Sequence, residues 1–143
     1  KKIKSHYIEH APSSWCHGAV GIGLSRLDMF KSGWYDDIIP YEMSVIKKYI
    51  NVDNFPNNIN LCHGMLANID LAMMFYELKF VDKALYYKTI HHLFNKIPKN
   101  LKVFCDHSPN ILNPGLMTGK SGVAYQLLRI AFPELISSIL LLK

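Results

Sequence analysis

Two Cys-His-Gly triplets, Cys16-His17-Gly18 and Cys62-His63-Gly64, are the residues of this chain best suited to chemistry. Thiolate and imidazole are the donors that a tetrahedral zinc prefers. The spacing is not that of a zinc finger, whose ligands pair locally as C-x₂₋₄-C or H-x₃₋₅-H. Each triplet instead opens an apolar segment with helical periodicity, so the two halves of such a site meet only when the chain folds. The first triplet belongs to a longer run, Ser14-Trp15-Cys16-His17-Gly18-Ala19-Val20-Gly21.

Three other stretches invite chemical readings. His6-Tyr7-Ile8-Glu9-His10 matches the inverted zinc-protease pattern H-x-x-E-H. That motif needs a stable helix, and Pro12 ends one almost at once, which leaves two solvent-facing histidines as the better reading. Cys105-Asp106-His107 lies in a long stretch between Pro98 and Pro114; it offers a further ligand or, the preferred reading, a structural cysteine in a covered loop. Gly119-Lys120-Ser121 suggests a phosphate loop, but measured from Gly115 the second glycine comes one place early and no strand precedes it.

The elements that must position these residues read as helices entered through glycine turns. Residues 1–11 are compatible with a short helix. Apolar positions Val20, Ile22, Leu24, Leu27 and Phe30 give a helix from His17 to Phe30, and a second is expected at 41–50 with Met43, Val45, Ile46, Tyr49 and Ile50 buried. Residues 51–60, with Pro56 and several asparagines, form a loop. Cys62-His63-Gly64 then opens a helix running to Leu78 that is apolar nearly all round and therefore enclosed. Residues 81–97 give an amphipathic outer helix, with Leu85, Tyr87, Ile90, Leu93 and Phe94 inward and His91-His92 at its surface. A third glycine-rich start, Gly115-Leu116-Met117-Thr118-Gly119-Lys120-Ser121-Gly122, leads into a helix that Pro133 ends.

Aligning Gly119-Lys120-Ser121-Gly122 with Gly18-Ala19-Val20-Gly21 makes these starts an internal repeat, with Met117-Thr118 where the other copies have Cys-His. An enclosed helix behind a tight glycine turn, followed by a polar-faced outer helix, is the unit of an α/α toroid. The fold class is therefore all-α, with no alternating strand pattern, and convergent inner-helix starts would bring Cys16 to Cys62 and His63.

Composition sets the outer bounds. At 143 residues and 50% hydrophobic content the chain is one domain with ample core material. Three cysteines without a signal-peptide pattern fit a reducing, cytoplasmic setting. The apolar C-terminal run, interrupted by Ser137-Ser138, is shorter than the ~20 residues of a membrane span. The net charge of +5 comes from scattered lysines, a solvated surface that argues against nucleic-acid binding. The opening Lys1-Lys2-Ile3-Lys4, without methionine, is what a processed product or the downstream piece of a longer chain would show.

Trp15-Cys16-His17-Gly18-x-x-Gly21-Ile22, Cys62-His63-Gly64 with Asn68, and Gly115-Leu116-Met117-Thr118-Gly119-x-x-Gly122 resemble, in order, the last three motifs of the lanthionine synthetase C-like family. The resemblance covers nearly all of 1–143 and implies the C-terminal part of a cyclase domain, an incomplete α/α toroid, in the manner of a bifunctional lanthipeptide synthetase. It implies a zinc held by Cys16, Cys62 and His63, and a dehydrated precursor peptide as partner. The implied reaction adds a peptide cysteine thiolate to dehydroalanine or dehydrobutyrine, closing a thioether ring.

A free thiol, pKa ~8.5, is mostly protonated at neutral pH, and metal coordination removes that proton. Three protein ligands leave the fourth position open to it. The enolate carbon then needs a proton, for which His17 is the candidate catalytic acid; its alternative role is to brace the site. The family's further catalytic residues lie upstream of these motifs, with no counterpart here. Ala67 stands where the second motif usually has glycine, which puts activity in question more than metal binding. A non-catalytic, zinc-containing peptide-binding toroid and an enzyme adding glutathione to dehydroamino acids share the same ligands. Three repeats are too few to close a ring, so the chain alone is expected to be inactive as a cyclase, the upstream remainder of the synthetase completing it.

Overall fold

The computed structural model describes residues 11–34, 37–97 and 113–142. The His6–His10 motif, the rest of the first expected helix up to residue 10, and Cys105-Asp106-His107 lie outside these residues. Among the described residues there are five α-helices, α1 Ala19–Lys31, α2 Ile39–Ile46, α3 Met65–Glu77, α4 Lys83–Lys96 and α5 Lys120–Ala131. Short 3₁₀ turns cover Lys47–Ile50, Val52–Asn54 and Ile139–Leu141, and no strand occurs among the described residues. The expected all-α architecture is present.

The inner layer is α1, α3 and α5, with α3 in the middle; α2 packs on α1, and α4 on α3. This is an arc of an α/α toroid. α3 is buried at every position from Met65 to Phe75, as its all-round apolar sequence predicts. Phe75, Leu66, Ile69 and Leu71 are fully enclosed there, and each such side chain contributes roughly 1.5–3 kcal/mol relative to exposure.

The repeat is visible in the backbone. The first N–H of each inner helix donates to a carbonyl seven residues back: Ala19 to Pro12 at 3.0 Å, Met65 to Asn58 at 2.9 Å, Lys120 to Asn113 at 2.9 Å. Each helix is capped by a glycine in extended conformation, Gly18, Gly64 and Gly119. Glycine is required by crowding, since a Cβ on Gly18 would lie 2.1 Å from the Pro12 carbonyl oxygen, and one on Gly64 2.4 Å from the Asn60 nitrogen. Helix therefore begins just after the cap. Cys16-His17 and Cys62-His63, expected inside the first turns, stand in the preceding turns instead.

Several expectations need correction. The second helix occupies Ile39–Ile46, starting with Pro40 in its first turn, and tightens to 3₁₀ over Lys47–Ile50. Tyr87 and Phe94 are about half exposed. The face α4 turns inward is Thr89, Ile90 and Leu93, and the Thr89 hydroxyl is accommodated by donating to Leu85 O at 2.9 Å. Ile22 is also exposed, on the side of α1 away from α3.

Periodicity gave no warning of the charged pair in the core. Asp70 on α3 and Arg129 on α5, both buried, meet at 2.5 Å. The Ser138 hydroxyl donates to the same carboxylate, and Arg129 Nη1 donates to Ile136 O at 2.7 Å. These contacts, with Tyr125 OH to Ser137 O at 2.9 Å and Trp15 Nε1 to Leu140 O at 2.9 Å, draw residues 133–142 from the end of α5 back to the start of α1.

Candidate functional site

The three glycine turns are joined by a backbone ladder. Trp15 N–H donates to Cys62 O at 2.9 Å, and Leu61 N–H, one repeat later, donates to Met117 O at 3.0 Å, an oxygen that Cys62 N–H shares at 3.0 Å. The same step, from the residue before the cysteine position to the cysteine position of the next turn, occurs twice. Cys16, Cys62 and Met117 therefore stand at equivalent places around one end of the inner layer. That end carries the N-termini of α1, α3 and α5, whose helix dipoles favour anionic groups.

Cys16 is exposed, with Sγ 3.0 Å from His17 Nδ1. Cys62 and His63 are half-buried. His63 is held by a residue that the motifs did not single out: Asn60, itself buried, accepts from His63 N–H through Oδ1 at 2.9 Å, and its amide nitrogen lies 3.5 Å from Nε2. Its position three residues before the histidine, at the end of an asparagine-rich loop, was the available signal. Asn113 plays a related part in the third turn, accepting from Gly115 N–H at 2.8 Å and reaching Thr118 Oγ1 at 3.1 Å.

Asn68, the other polar residue of the second motif, is fully buried and donates its amide to Ser13 Oγ and to Tyr49 O, both at 2.7 Å. It ties α3 to the turn ahead of Cys16 and to the outer layer. Ala67 is buried as well, and its N–H bonds to Gly64 O at 3.2 Å, whereas the equivalent Gly21 N–H reaches back to Ser14 O at 3.4 Å. A Cβ at Gly21 would sit 2.1 Å from Trp15 O, so the turn carrying Ala67 has a different first-turn bond pattern at the position where a methyl must fit.

Two soft thiol donors and an imidazole fit zinc by type, and the ladder sets their turns side by side. Their side chains are not gathered: among the described residues no three His, Cys, Asp or Glu groups stand close enough to hold a metal ion. Cys16 Sγ faces His17, and the His63 ring faces Asn60. Binding at Cys16, Cys62 and His63 thus requires side-chain rotation on a backbone already in register.

An open groove of about 850 Å³ runs from Cys16 and His17 along α1, walled by Ile22, Met29 and Leu140 to Leu142. A second cavity, about 540 Å³, lies toward the other ends of the inner helices, near Lys31, Glu77, Tyr86 and Arg129. Burial, reinforced by neighbouring Tyr87, pushes the Tyr86 phenol up. The groove contains Cys16 and His17, while Cys62 and His63 line neither of these two spaces. No helix of the described residues is long and apolar enough to cross a membrane.

The lacticin 481/lactococcin biosynthesis protein of Lactococcus lactis subsp. lactis is 28% identical over 148 residues, covering 90% of this chain and 15% of that protein. The chain thus spans about one-seventh of that relative's length. No solved structure matches. The model of the lanthionine synthetase C-like proteins matches residues 2–141. With that match over almost its whole length, and with its three glycine turns stacked in one repeating register, the chain belongs to the lanthionine synthetase C-like family.

Proposed function

We propose that this chain is the C-terminal part of a cyclase that forms lanthionine rings in a dehydrated precursor peptide, within a cytoplasmic bifunctional synthetase whose upstream part carries the dehydratase. The observation that carries the reading is the ladder from Trp15 to Cys62, which sets the first Cys-His turn against the second in a member of this family. Cys16, Cys62 and His63 are the zinc ligands in this reading, and Asn60 orients His63. Zinc held there would make an incoming peptide thiol nucleophilic at neutral pH.

The chain's own residues account for the other half of the reaction. As sulfur bonds to the β-carbon of dehydroalanine or dehydrobutyrine, the carbon–carbon π bond opens and its electrons pass to an enolate. In this reading His17, which is exposed and lines the groove, delivers a proton to the α-carbon. Ile22, Met29 and the Leu140–Leu142 segment line the groove with apolar side chains, on a side that stays open along α1.

The test is metal analysis of the purified chain and its alanine variants. One zinc per chain is expected for the parent and for Cys105→Ala, with loss on Cys16→Ala, Cys62→Ala or His63→Ala. Retention of zinc by Cys62→Ala together with its loss from Cys105→Ala would overturn the ligand assignment.

A further inference from the structure

Apart from the 3₁₀ turn Ile139–Leu141, residues 133–142 have no regular structure, yet Ser138 and Leu140 are buried. Backbone carbonyls in such a segment need donors, and side chains supply them here. Arg129 Nη1 donates to Ile136 O at 2.7 Å, the Tyr125 hydroxyl to Ser137 O at 2.9 Å, and Trp15 Nε1 to Leu140 O at 2.9 Å. In the other direction the Ser138 hydroxyl donates to Asp70 on α3. The segment is therefore held by α5, by α3 and by the turn ahead of α1, and its 3₁₀ turn packs on α1 itself. It crosses all three inner helices.

Asp70 is the fixed point of this arrangement. One of its carboxylate oxygens takes Arg129 Nε at 2.5 Å and the other takes the Ser138 hydroxyl. A hydroxyl bonded to a carboxylate is a charge-assisted contact, so Ser138 anchors the segment firmly where α3 and α5 are already joined. Two residues further on, Leu140 offers its carbonyl to Trp15, the residue immediately before Cys16. The Trp15 N–H donates to Cys62 O at 2.9 Å, and its carbonyl oxygen lies against Gly21, 2.1 Å from where a Cβ would be. Trp15 thus ties the first Cys-His turn to the second through its backbone and to residues 133–142 through its indole. Cys16 is exposed and its Sγ meets the adjacent His17, a partner on the same turn, so the thiol goes where the turn goes.

We propose that residues 133–142 are a clamp on the candidate site, with Ser138 and Trp15 as positioning residues: Ser138 fixes the clamp on Asp70, and Trp15 passes its hold to the turn that carries Cys16. Cys16 and Ser138 are far apart in the chain, and the coupling between them runs through two hydrogen bonds, Ser138 to Asp70 and Trp15 to Leu140. The consequence for metal binding rests on the reading of Cys16, Cys62 and His63 as zinc ligands, whereas the hold on the turn does not. A site whose ligands come from two turns binds less tightly when one turn spends time out of place, because affinity falls with the fraction of chains in the competent arrangement.

The experiment compares Ser138→Ala, Trp15→Phe and the double variant with the parent chain, by hydrogen exchange without metal and by zinc affinity in competition with a chelator. Trp15→Phe keeps an aromatic ring and the backbone N–H to Cys62 and removes only the indole donor. Each single variant is expected to speed exchange in residues 15–21 about 2–10-fold relative to residues 90–96 of α4, the factor that one ordinary hydrogen bond is worth. The double variant is expected to match Trp15→Phe alone, because both changes release the same hold. Zinc affinity is expected to fall by a similar factor in the same order, and the cobalt(II) form to lose thiolate charge-transfer intensity. Exchange that rises equally in α4 overturns the proposal, since Ser138 would then serve general stability. Unchanged exchange in residues 15–21, additive effects in the double variant, or faster exchange with unchanged zinc affinity overturn it as well. A parent that binds no zinc overturns the ligand assignment instead, and the exchange data still decide the clamp. Should Ser138→Ala lose helicity by circular dichroism, Tyr125→Phe, which withdraws the donor from Ser137 O, takes its place in the same scheme.

Discussion

At the residue scale, the neighbours of Cys16, Cys62 and His63, the proposed zinc ligands, matter as much as those residues themselves. Asn60 fixes His63 through its backbone N–H and stands beside its ring, so Asn60→Ala is expected to weaken zinc binding about 10–100-fold with Cys62 and His63 intact. Competition with a chromophoric chelator measures this, and an unchanged affinity would leave Asn60 a purely structural role. The Asp70–Arg129 pair is enclosed, and removing one partner leaves the other charge buried. Asp70→Ala should therefore lower stability by roughly 3–5 kcal/mol in denaturant titration. His92 provides a pH handle. Burial, then nearby Lys96, holds its pKa below the usual imidazole value. The unfolded chain therefore takes up the proton first as pH falls, so stability is full above the unfolded value of ~6.5 and declines as pH drops through it toward the folded pKa. Thermal midpoints between neutral and mildly acidic pH should show that decline, and His92→Gln should flatten it.

At the element scale, the inner helices are defined by how they start. Their apolar residues bury α3, but the glycine turns decide which residues face the ladder and which enter the helix. Gly64→Ala would place a methyl within 2.4–2.8 Å of three backbone atoms of Asn58 and Asn60, which cannot move aside as a flexible side chain can. The expected cost is about 1–3 kcal/mol, read as a lower unfolding midpoint. A midpoint equal to the parent's would mean that the turn opens freely and that the ladder does not depend on it. The outer helix α4 is held differently. Its cap, Asp82 Oδ1, accepts from Leu85 N–H at 2.8 Å, and its inward face is short enough that Tyr87 and Phe94 remain at the surface.

At the scale of the whole molecule, three inner helices make an arc with open edges. Catalysis needs the thiolate and the acceptor alkene held in register inside a shielded space, and a groove open along α1 does not provide it. The 143-residue chain is therefore expected not to cyclise a dehydrated peptide at an enzymatic rate, even when loaded with zinc. The comparison is with a longer chain extended upstream, following the loss of alkylatable thiol on one dehydrated peptide. Equal rates would show that the open arc suffices.

The five helices of the described residues, the enclosed character of α3 and the three repeated starts were legible in the sequence, because 3.6-residue periodicity and glycine placement are local properties that each segment expresses by itself. The pairing of Cys16 with Cys62 as equivalent positions was legible for the same reason: a repeat in sequence becomes a repeat in space. What sequence could not decide was set by contacts between residues far apart in the chain. Asp70 stands on an otherwise apolar helix, and its partners Arg129 and Ser138 come to it from 59 and 68 residues away. Ile22 and Leu128 carry the same apolar signal as their buried counterparts, and only the packing of the inner layer separates helix faces with a neighbour from faces without one. The orientation of Cys16 and His63 was likewise decided by their nearest partners, His17 and Asn60, since the backbone register fixes where a side chain starts and local hydrogen bonds fix where it points.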